Sequence, residues 1–288
     1  MEILVTGLLL GGTYALIALG LTLQYGVARM MNLSTGETLV AGCFAAWLLF
    51  TVAGINPIFG LLVVAPLGFV LNGMIYLGLL RPLVNRAKNA GMLEVDSILA
   101  TFGLLFLFEG VMQLAFGGSF FNYQFLAVPF QLLGSSYAMN RIVAFAAAAV
   151  IAGLLCLFLY RTRFGTAVRA VAVDPQAARL VGINVNLVAA FAFALGGAIT
   201  ACGGALLSTF YTFTATMGAV FTMKALIIVI MGGVGDVRGA VVAALILGIM
   251  ETLVASLIDP GLTLAATYGL FIAVLLFRPQ GIFGGKAG

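Results

Sequence analysis

A short polar segment, RMMNLSTGETL (residues 29–39), separates two long uncharged stretches of this chain. Its polar side chains could cap a helix that begins there or line a path through a membrane. Ser34, followed three positions later by Glu37, fits a capping box, in which each side chain accepts a backbone N–H of the first turn. The segment is therefore either a loop outside a membrane or the break in a discontinuous helix. For the second case we expect Asn32, Ser34 and Thr35 to line the path and Glu37 to hold the break in shape.

Two glutamates lie inside apolar segments, Glu109 in 95–116 and Glu251 in 239–258. An ionised side chain at mid-membrane costs at least ~2.5–3.5 kcal/mol, so each should face a cavity, a subunit seam or a cation. A protonated or hydrogen-bonded side chain within the bundle is the simpler alternative for Glu109. The chain has no histidine, the commonest general base and metal ligand. An intramembrane enzyme is therefore disfavoured.

A third polar feature is the loop at about 161–185, the longest charged connection in the chain. Asp174 followed by Pro175 predicts an N-cap and a first helical residue, and Gly182 is placed to end the short helix. A two-turn helix is marginal alone in water. It should pack either on its own chain or in a groove of a partner protein.

The segment IMGGVGDVRG interrupts two apolar helices near the C-terminus. Either it is a turn in which Asp236 pairs with Arg238, or it is a second break lining a transport path. Both interruptions end in a glycine, Gly36 and Gly239, which is the kind of trace left by an internal repeat.

Composition decides the class of protein that holds these groups. Only 8% of the residues are charged and mean hydropathy is +1.22, whereas soluble domains are about 25% charged. No ten-residue alternation typical of a membrane β-barrel is present. The fold class is therefore all-α, a polytopic membrane protein with eight to ten transmembrane helices. The candidate spans are 3–24, 38–54, 58–80, 95–116, 139–160, 186–210, 219–234, 239–258 and 262–277.

Charge sets the expected topology. The basic residues cluster in three connections, which the positive-inside rule places in the cytoplasm together with the C-terminus. Loop charges of this kind serve topology, so the net charge of +4 predicts no nucleic-acid partner. The 117–138 connection then lies outside. The clustered cations are Arg81, Arg86 and Lys88; Arg161, Arg163, Arg169 and Arg179; and Arg278 and Lys286.

Three stretches together resemble the LivH-type permeases of the branched-chain amino acid ABC importers. They are GGTYALIALGLTLQYGVARMMNLSTGE, RFGTAVRAVAVDPQAARLVGINV and TMKALIIVIMGGVGDVRGAVVAALILGIMETL. The second contains Gln-Ala-Ala, three residues and Gly, similar to the Glu-Ala-Ala motif of importer permeases with glutamine in the glutamate's place. The family usually has histidine where this chain has Thr35. Lys224 and Glu251 match the family pattern, and the alternative for Lys224, which begins a helix, is a simple anchor at the membrane interface.

The resemblance implies a single transmembrane permease domain over 1–288 that is no enzyme itself and carries no cofactor. It implies two ABC ATPase subunits that bind ATP and Mg, a homologous LivM-type permease and a periplasmic or extracellular substrate-binding protein. Leucine, isoleucine and valine would be imported across the bacterial inner membrane by alternating access. The alternatives are a urea or short-chain amide permease and an ion-coupled transporter using Glu109 and Glu251. The implied pathway residues are Asn32, Ser34, Thr35, Glu37 and Glu251, and the implied ATPase-coupling residues are Arg169, Asp174, Pro175, Gln176, Ala177, Ala178, Arg179 and Gly182.

Overall fold

The computed structural model describes residues 2–86, 90–132, 135–278 and 280–283. Lys88 and Lys286, two of the predicted basic loop residues, lie outside these ranges. Each predicted span coincides with a helix. The elements are α1 (Glu2–Ala28), α2 (Thr35–Thr51), α3 (Pro57–Ile75), a π-helical turn (Tyr76–Leu80), α4 (Arg81–Arg86), α5 (Ala90–Phe116), β1 (Pro129–Leu132), β2 (Ser135–Ala138), α6 (Met139–Arg161), α7 (Arg163–Val173), α8 (Pro175–Leu180), α9 (Val185–Leu207), α10 (Gly218–Gly232), α11 (Val237–Leu257), a 3₁₀ turn (Pro260–Leu262) and α12 (Thr263–Phe277).

Among the described residues, seven helices are long and apolar enough to cross a membrane. The chain is therefore an all-α, multi-pass membrane protein, as its composition predicts. Two apolar helices are shorter, α2 with 17 residues and α10 with 15. A membrane crossing needs roughly 20 residues, so these two are the candidates for discontinuous spans.

Helix α1 is the central element of the bundle. One of its faces packs with α2, α10 and α11 through residues such as Tyr14 and Leu21. The opposite face packs with α6 and α9 through residues such as Leu16 and Leu23. An all-round apolar helix is the type that a fold can bury completely, which explains why α1 shows no polar face.

Glycines bring the helices close together. A Cβ on Gly7 of α1 would lie 2.6 Å from the Cα of Ile249 on α11. On α9, Gly196 faces the Gly20 carbonyl of α1, and Gly204 faces the Leu39 carbonyl of α2. Small residues permit such backbone contact in membrane bundles. The α9 glycines therefore mark the closest contacts of this helix with α1 and α2.

The 117–138 connection is more ordered than a plain loop. It contains the antiparallel hairpin β1–β2, in which Phe130 lies opposite Tyr137. Phe121 exchanges backbone hydrogen bonds of 2.8 and 2.9 Å with Phe213 of the α9–α10 connection. The two connections are therefore joined at this end of the bundle, opposite the end that holds Arg29 and Arg81.

Candidate functional site

The first polar break begins where α1 ends. Arg29 adopts a positive φ of 52°, and its guanidinium donates to the Ala172 and Val173 carbonyls of α7 at 3.4 and 3.1 Å. Asn32 and Ser34 are then fully buried. The segment is therefore no solvated loop: the chain leaves the basic end of the bundle and enters its interior before α2 begins.

The predicted capping box is wrong. Ser34 occupies the N-cap position, but its side chain makes no cap hydrogen bond. Its hydroxyl and its backbone N–H both donate to Asn32 Oδ1, at 2.7 and 3.0 Å. Neither carboxylate oxygen of Glu37 has a hydrogen-bond partner among the described residues. Asn32, rather than Ser34 and Glu37, shapes the turn that enters α2.

The helix start is capped from another element. Thr222 of α10 accepts the Gly36 N–H at 2.9 Å and donates to the Leu33 carbonyl at 3.1 Å. Thr101 of α5 accepts the Leu33 N–H at 3.1 Å. These contacts satisfy backbone groups that water cannot reach. The break is thus held by helices distant in sequence.

Neutral amides continue this network across the bundle. Gln24 of α1 accepts from Asn32 Nδ2 at 2.9 Å and donates to Asn72 Oδ1 of α3 at 3.3 Å and to the Phe193 carbonyl of α9 at 3.1 Å. Asn72 in turn donates to Thr38 of α2 at 3.3 Å. Gln24 and Asn72 were missed in the sequence, although an amide inside an uncharged span is itself a signal for such a role. The network joins four helices without any charge.

The two short helices start next to each other. A Cβ on Gly36 would meet the carbonyl oxygen of Gly218, the first residue of α10, and a Cβ on Gly218 would meet the Glu37 carboxylate. A helix N-terminus favours a nearby negative group. The unpaired Glu37 carboxylate therefore lies where the starts of α2 and α10 meet. Asn32, Ser34, Thr35 and Glu37 are all buried, and their contribution to a path remains a prediction.

Glu251 lies in a second buried cluster. Its carboxylate pairs with Lys224 Nζ of α10 at 2.8 Å. It also accepts from the Tyr14 hydroxyl of α1 at 2.7 Å and from the Thr267 hydroxyl of α12 at 2.9 Å. Lys224 and Glu251 are only 7% and 4% exposed, so the alternative in which Lys224 simply anchors at the membrane interface does not hold. Of the three surroundings expected for Glu251, a cavity, a subunit seam or a cation, the structure shows the cation of Lys224 and a cavity. Glu109, by contrast, is half-buried on α5.

A cavity of about 320 Å³ lies above this ion pair, towards the end with the β-hairpin. Burial, and secondarily the Glu251 carboxylate, raise the pKa of Tyr211, so its phenol stays protonated. The cavity mixes aliphatic side chains with a few hydroxyl and charged groups. It is lined by Thr6, Leu10, Tyr14, Arg141, Phe210, Tyr211, Lys224, Glu251, Thr252, Ala255, Pro260 and Thr263.

The second polar break is a tight turn between α10 and α11. Asp236 accepts the backbone N–H groups of Arg238 and Gly239 at 2.8 and 2.9 Å. The predicted pairing of Asp236 with the Arg238 side chain is wrong, because the guanidinium instead lies over the Tyr160 ring at 5.9 Å. Gly233 and Gly235 supply the positive φ angles. The turn lies beside Gly26, at the same end of the bundle as Arg29.

The predicted short helix in the 161–185 loop is confirmed as α8. Asp174 caps it by accepting from Gln176 N–H at 2.8 Å and from Ala177 N–H at 3.1 Å, and Pro175 is its first residue. Gly182 ends it with φ 81°. Only Ala178 is buried.

The outer surface of this loop carries three strongly exposed aliphatic side chains among its charged ones. Val173, Leu180 and Val181 are 81%, 89% and 75% exposed. Three large aliphatic side chains beside a capped helix at the basic end form a surface suited to a protein partner.

The fold and these sites are those of a membrane transport protein, with helices broken at buried polar segments and a short capped helix exposed outside the bundle. The chain belongs to the family of the branched-chain amino acid transport system permease component, whose model matches residues 3–277. This family membership confirms the resemblance that the three sequence motifs indicate.

Similar proteins cover nearly the whole chain. The chain is 31% identical to the high-affinity branched-chain amino acid transport permease BraD of Pseudomonas aeruginosa, over 98% of this chain and 94% of BraD. It is 29% identical to the high-affinity branched-chain amino acid transport permease LivH of Salmonella typhimurium, over 96% of this chain and 93% of LivH. The galactose/methyl galactoside import permease MglC of Haemophilus influenzae is 30% identical over 84% of this chain and 75% of MglC. No solved structure matches the chain.

Proposed function

We propose that this chain is the permease subunit of an ATP-driven ABC importer that moves leucine, isoleucine and valine inward. The observation that carries this proposal is the family match over residues 3–277 together with near-full-length relatives named as branched-chain amino acid permeases. The sugar permease MglC is a specific reason to keep a neutral sugar as the second candidate substrate. Urea and short-chain amides are further candidates from the sequence resemblance.

The proposed assembly contains this single permease domain, a homologous LivM-type permease, two ABC ATPase subunits and an extracytoplasmic substrate-binding protein. ATP and Mg would bind to the ATPases, so this chain would itself be no enzyme. We place the protein in the bacterial inner membrane with its C-terminus in the cytoplasm, because the end of the bundle with Arg29, Arg81 and Arg161 carries most of the positive charge.

The α7–α8 surface is the proposed ATPase contact. Its exposed Val173, Leu180 and Val181 would enter a groove of the ATPase, while Arg169 and Arg179 supply charge at the edge. Ala178 packs on this chain, so a push on α8 would reach α9. Arg29 binds the last carbonyls of α7. The same push would therefore also reach the first break.

The moving part would be the junction of α2 and α10. Each helix starts inside the bundle, and Thr222 of α10 holds the entry of α2 by two hydrogen bonds, one with the Gly36 N–H and one with the Leu33 carbonyl. Alternating access requires an element with two arrangements, and two short helices that meet end to end suit this role. Asn32, Ser34, Thr35 and Glu37, buried in this conformation, would then be uncovered in another.

Co-expression with the predicted ATPases and binding protein tests the function. The assembled importer in proteoliposomes should take up leucine only with ATP, and galactose and urea should not compete. Gradient-driven uptake by this chain alone would instead support an ion-coupled transporter using Glu109 and Glu251.

Variants of α8 test the coupling surface. Ala178→Pro removes the Ala178 N–H that donates to the Asp174 carbonyl at 3.0 Å, and Arg179→Glu reverses an edge charge. Both should uncouple ATP hydrolysis from uptake while leaving membrane insertion intact. Arg163→Glu is the matched control, because an acid in the first turn of α7 is compatible with the helix dipole. Unchanged uptake in both α8 variants would exclude this surface as the contact.

A further inference from the structure

The cavity above the Lys224–Glu251 pair contains groups that the fold itself does not use. Arg141, near the start of α6, has no hydrogen bond or ion pair among the described residues and lies 5.8 Å from the Phe210 ring centroid. Tyr211 packs edge-on against Phe221 at 6.1 Å, and its hydroxyl is likewise unpartnered in the described part of the chain. A cation and a hydroxyl donor, both without hydrogen-bond partners among the residues that the structure describes, therefore line the same cavity.

At the floor of the cavity, the charge and the hydrogen-bond acceptor sites of Glu251 are already satisfied by other residues. Glu251 already accepts from Tyr14, Lys224 and Thr267, which fills the usual acceptor sites of a carboxylate. Its charge is balanced by Lys224 at 2.8 Å. The charge remaining in the cavity is that of Arg141, so an anionic group is the favoured occupant.

The rest of the lining fits a short aliphatic body. Leu10, Phe210, Ala255 and Pro260 supply apolar surface. The Thr252 hydroxyl donates to the Gly248 carbonyl at 2.9 Å and keeps lone pairs that can accept an ammonium N–H. A volume of about 320 Å³ is at the small end of ligand pockets, which span roughly 300–1,000 Å³.

We propose that this cavity is a recognition site in the permease itself for an aliphatic amino acid, whose carboxylate is bound by Arg141 and the Tyr211 hydroxyl. Thr252 accepts from the ammonium group, and the Lys224–Glu251 pair forms the floor. The site opens at the end with the β-hairpin, where solute would arrive under the proposed orientation. This inference rests on the proposed function and adds a substrate contact within this chain.

Direct binding to the purified full chain in lipid nanodiscs tests the site without the binding protein. Equilibrium dialysis with radiolabelled leucine, competed by leucinamide, compares a carboxylate with its neutral amide. A charge-assisted pair is lost with leucinamide, so leucine should bind about tenfold or more tightly. In Arg141→Gln this preference should fall to within about threefold, and Tyr211→Phe should lower it partly.

Arg141→Lys keeps the charge and should retain part of the preference, which a merely structural role of Arg141 would not produce. Arg86→Gln, at the opposite end of the bundle, is the matched control and should leave the preference unchanged. An Arg141→Gln protein that still prefers leucine tenfold, or a wild-type chain that binds no leucine, overturns this inference. If the assembled importer still takes up leucine with ATP, either of these results overturns the cavity site alone and the proposed function stands. If the importer takes up no leucine, both the proposed function and the cavity site are excluded.

Discussion

Removing the positive partner of Glu251 should destabilise the bundle severely. Lys224→Met keeps an unbranched side chain of similar length but leaves the Glu251 carboxylate, 4% exposed, without its counter-ion at 2.8 Å. Hydrogen bonds from Tyr14 and Thr267 remain, but they cannot neutralise the charge. Breaking one side of a buried pair costs about 3–5 kcal/mol.

That free energy corresponds to a folded-to-unfolded ratio roughly 150- to 5,000-fold lower. The double variant Lys224→Met/Glu251→Gln removes both charges and keeps one acceptor oxygen, while the new amide NH2 can donate to the Tyr14 or Thr267 hydroxyl. Replacing a whole buried pair by uncharged groups is often nearly neutral. The double variant should therefore recover most of the loss, giving a coupling energy of about 2 kcal/mol or more.

Reversible unfolding in mixed detergent micelles, followed by tryptophan fluorescence, would measure these values. Arg238→Met changes an exposed cation and should stay within about 0.5 kcal/mol of wild type. The reasoning is refuted if Lys224→Met costs less than about 1 kcal/mol, or if the double variant loses as much as the two single variants added together.

Three further changes probe the first break and the loop helix. Gly36→Ala places a methyl group on a backbone carbonyl and should prevent α2 from docking, lowering the yield of folded protein in size-exclusion chromatography, whereas Gly103→Ala, which meets nothing within 4 Å, should behave as wild type. Asn32→Ala leaves two Ser34 donors without their acceptor and should cost about 1–3 kcal/mol in the micelle unfolding assay; a cost no larger than that of Ser34→Ala would contradict the assignment of Asn32 as the organising residue. Asp174→Ala removes the α8 cap and should cost about 1 kcal/mol of local stability, seen as faster hydrogen exchange in residues 175–180 with unchanged exchange in α9.

The membrane class and the positions of the helices follow from composition and local pattern. A span with no charge must satisfy its backbone hydrogen bonds within itself, which a helix does, so 3–24 and 186–210 were predictable without contacts. The α8 helix was predictable for a local reason, because Asp174, Pro175 and Gly182 act within one or two turns.

The capping box shows where local reasoning stops. Ser34 and Glu37 have the right spacing for the motif, yet the Gly36 N–H is satisfied by Thr222, 186 residues further along the chain. The amide and hydroxyl of Ser34 then bond to Asn32 instead. A buried helix start can take its cap from any neighbouring helix, and local spacing does not specify which one.

The sequence by itself determined that this protein is an all-helical membrane bundle of the branched-chain permease family, with a capped helix between α7 and α9. Hydrophobicity and capping act over a few neighbouring residues, so both can be recognised in the sequence without knowing the tertiary contacts. Only the tertiary structure decided that Glu251 is paired with Lys224, that α2 and α10 start next to each other, and that Arg141 lines a cavity without an ion-pair partner in the described part of the chain. Those facts depend on which helices pack together. In a chain with so few charges, packing is set by glycine contacts and buried polar bonds between distant segments.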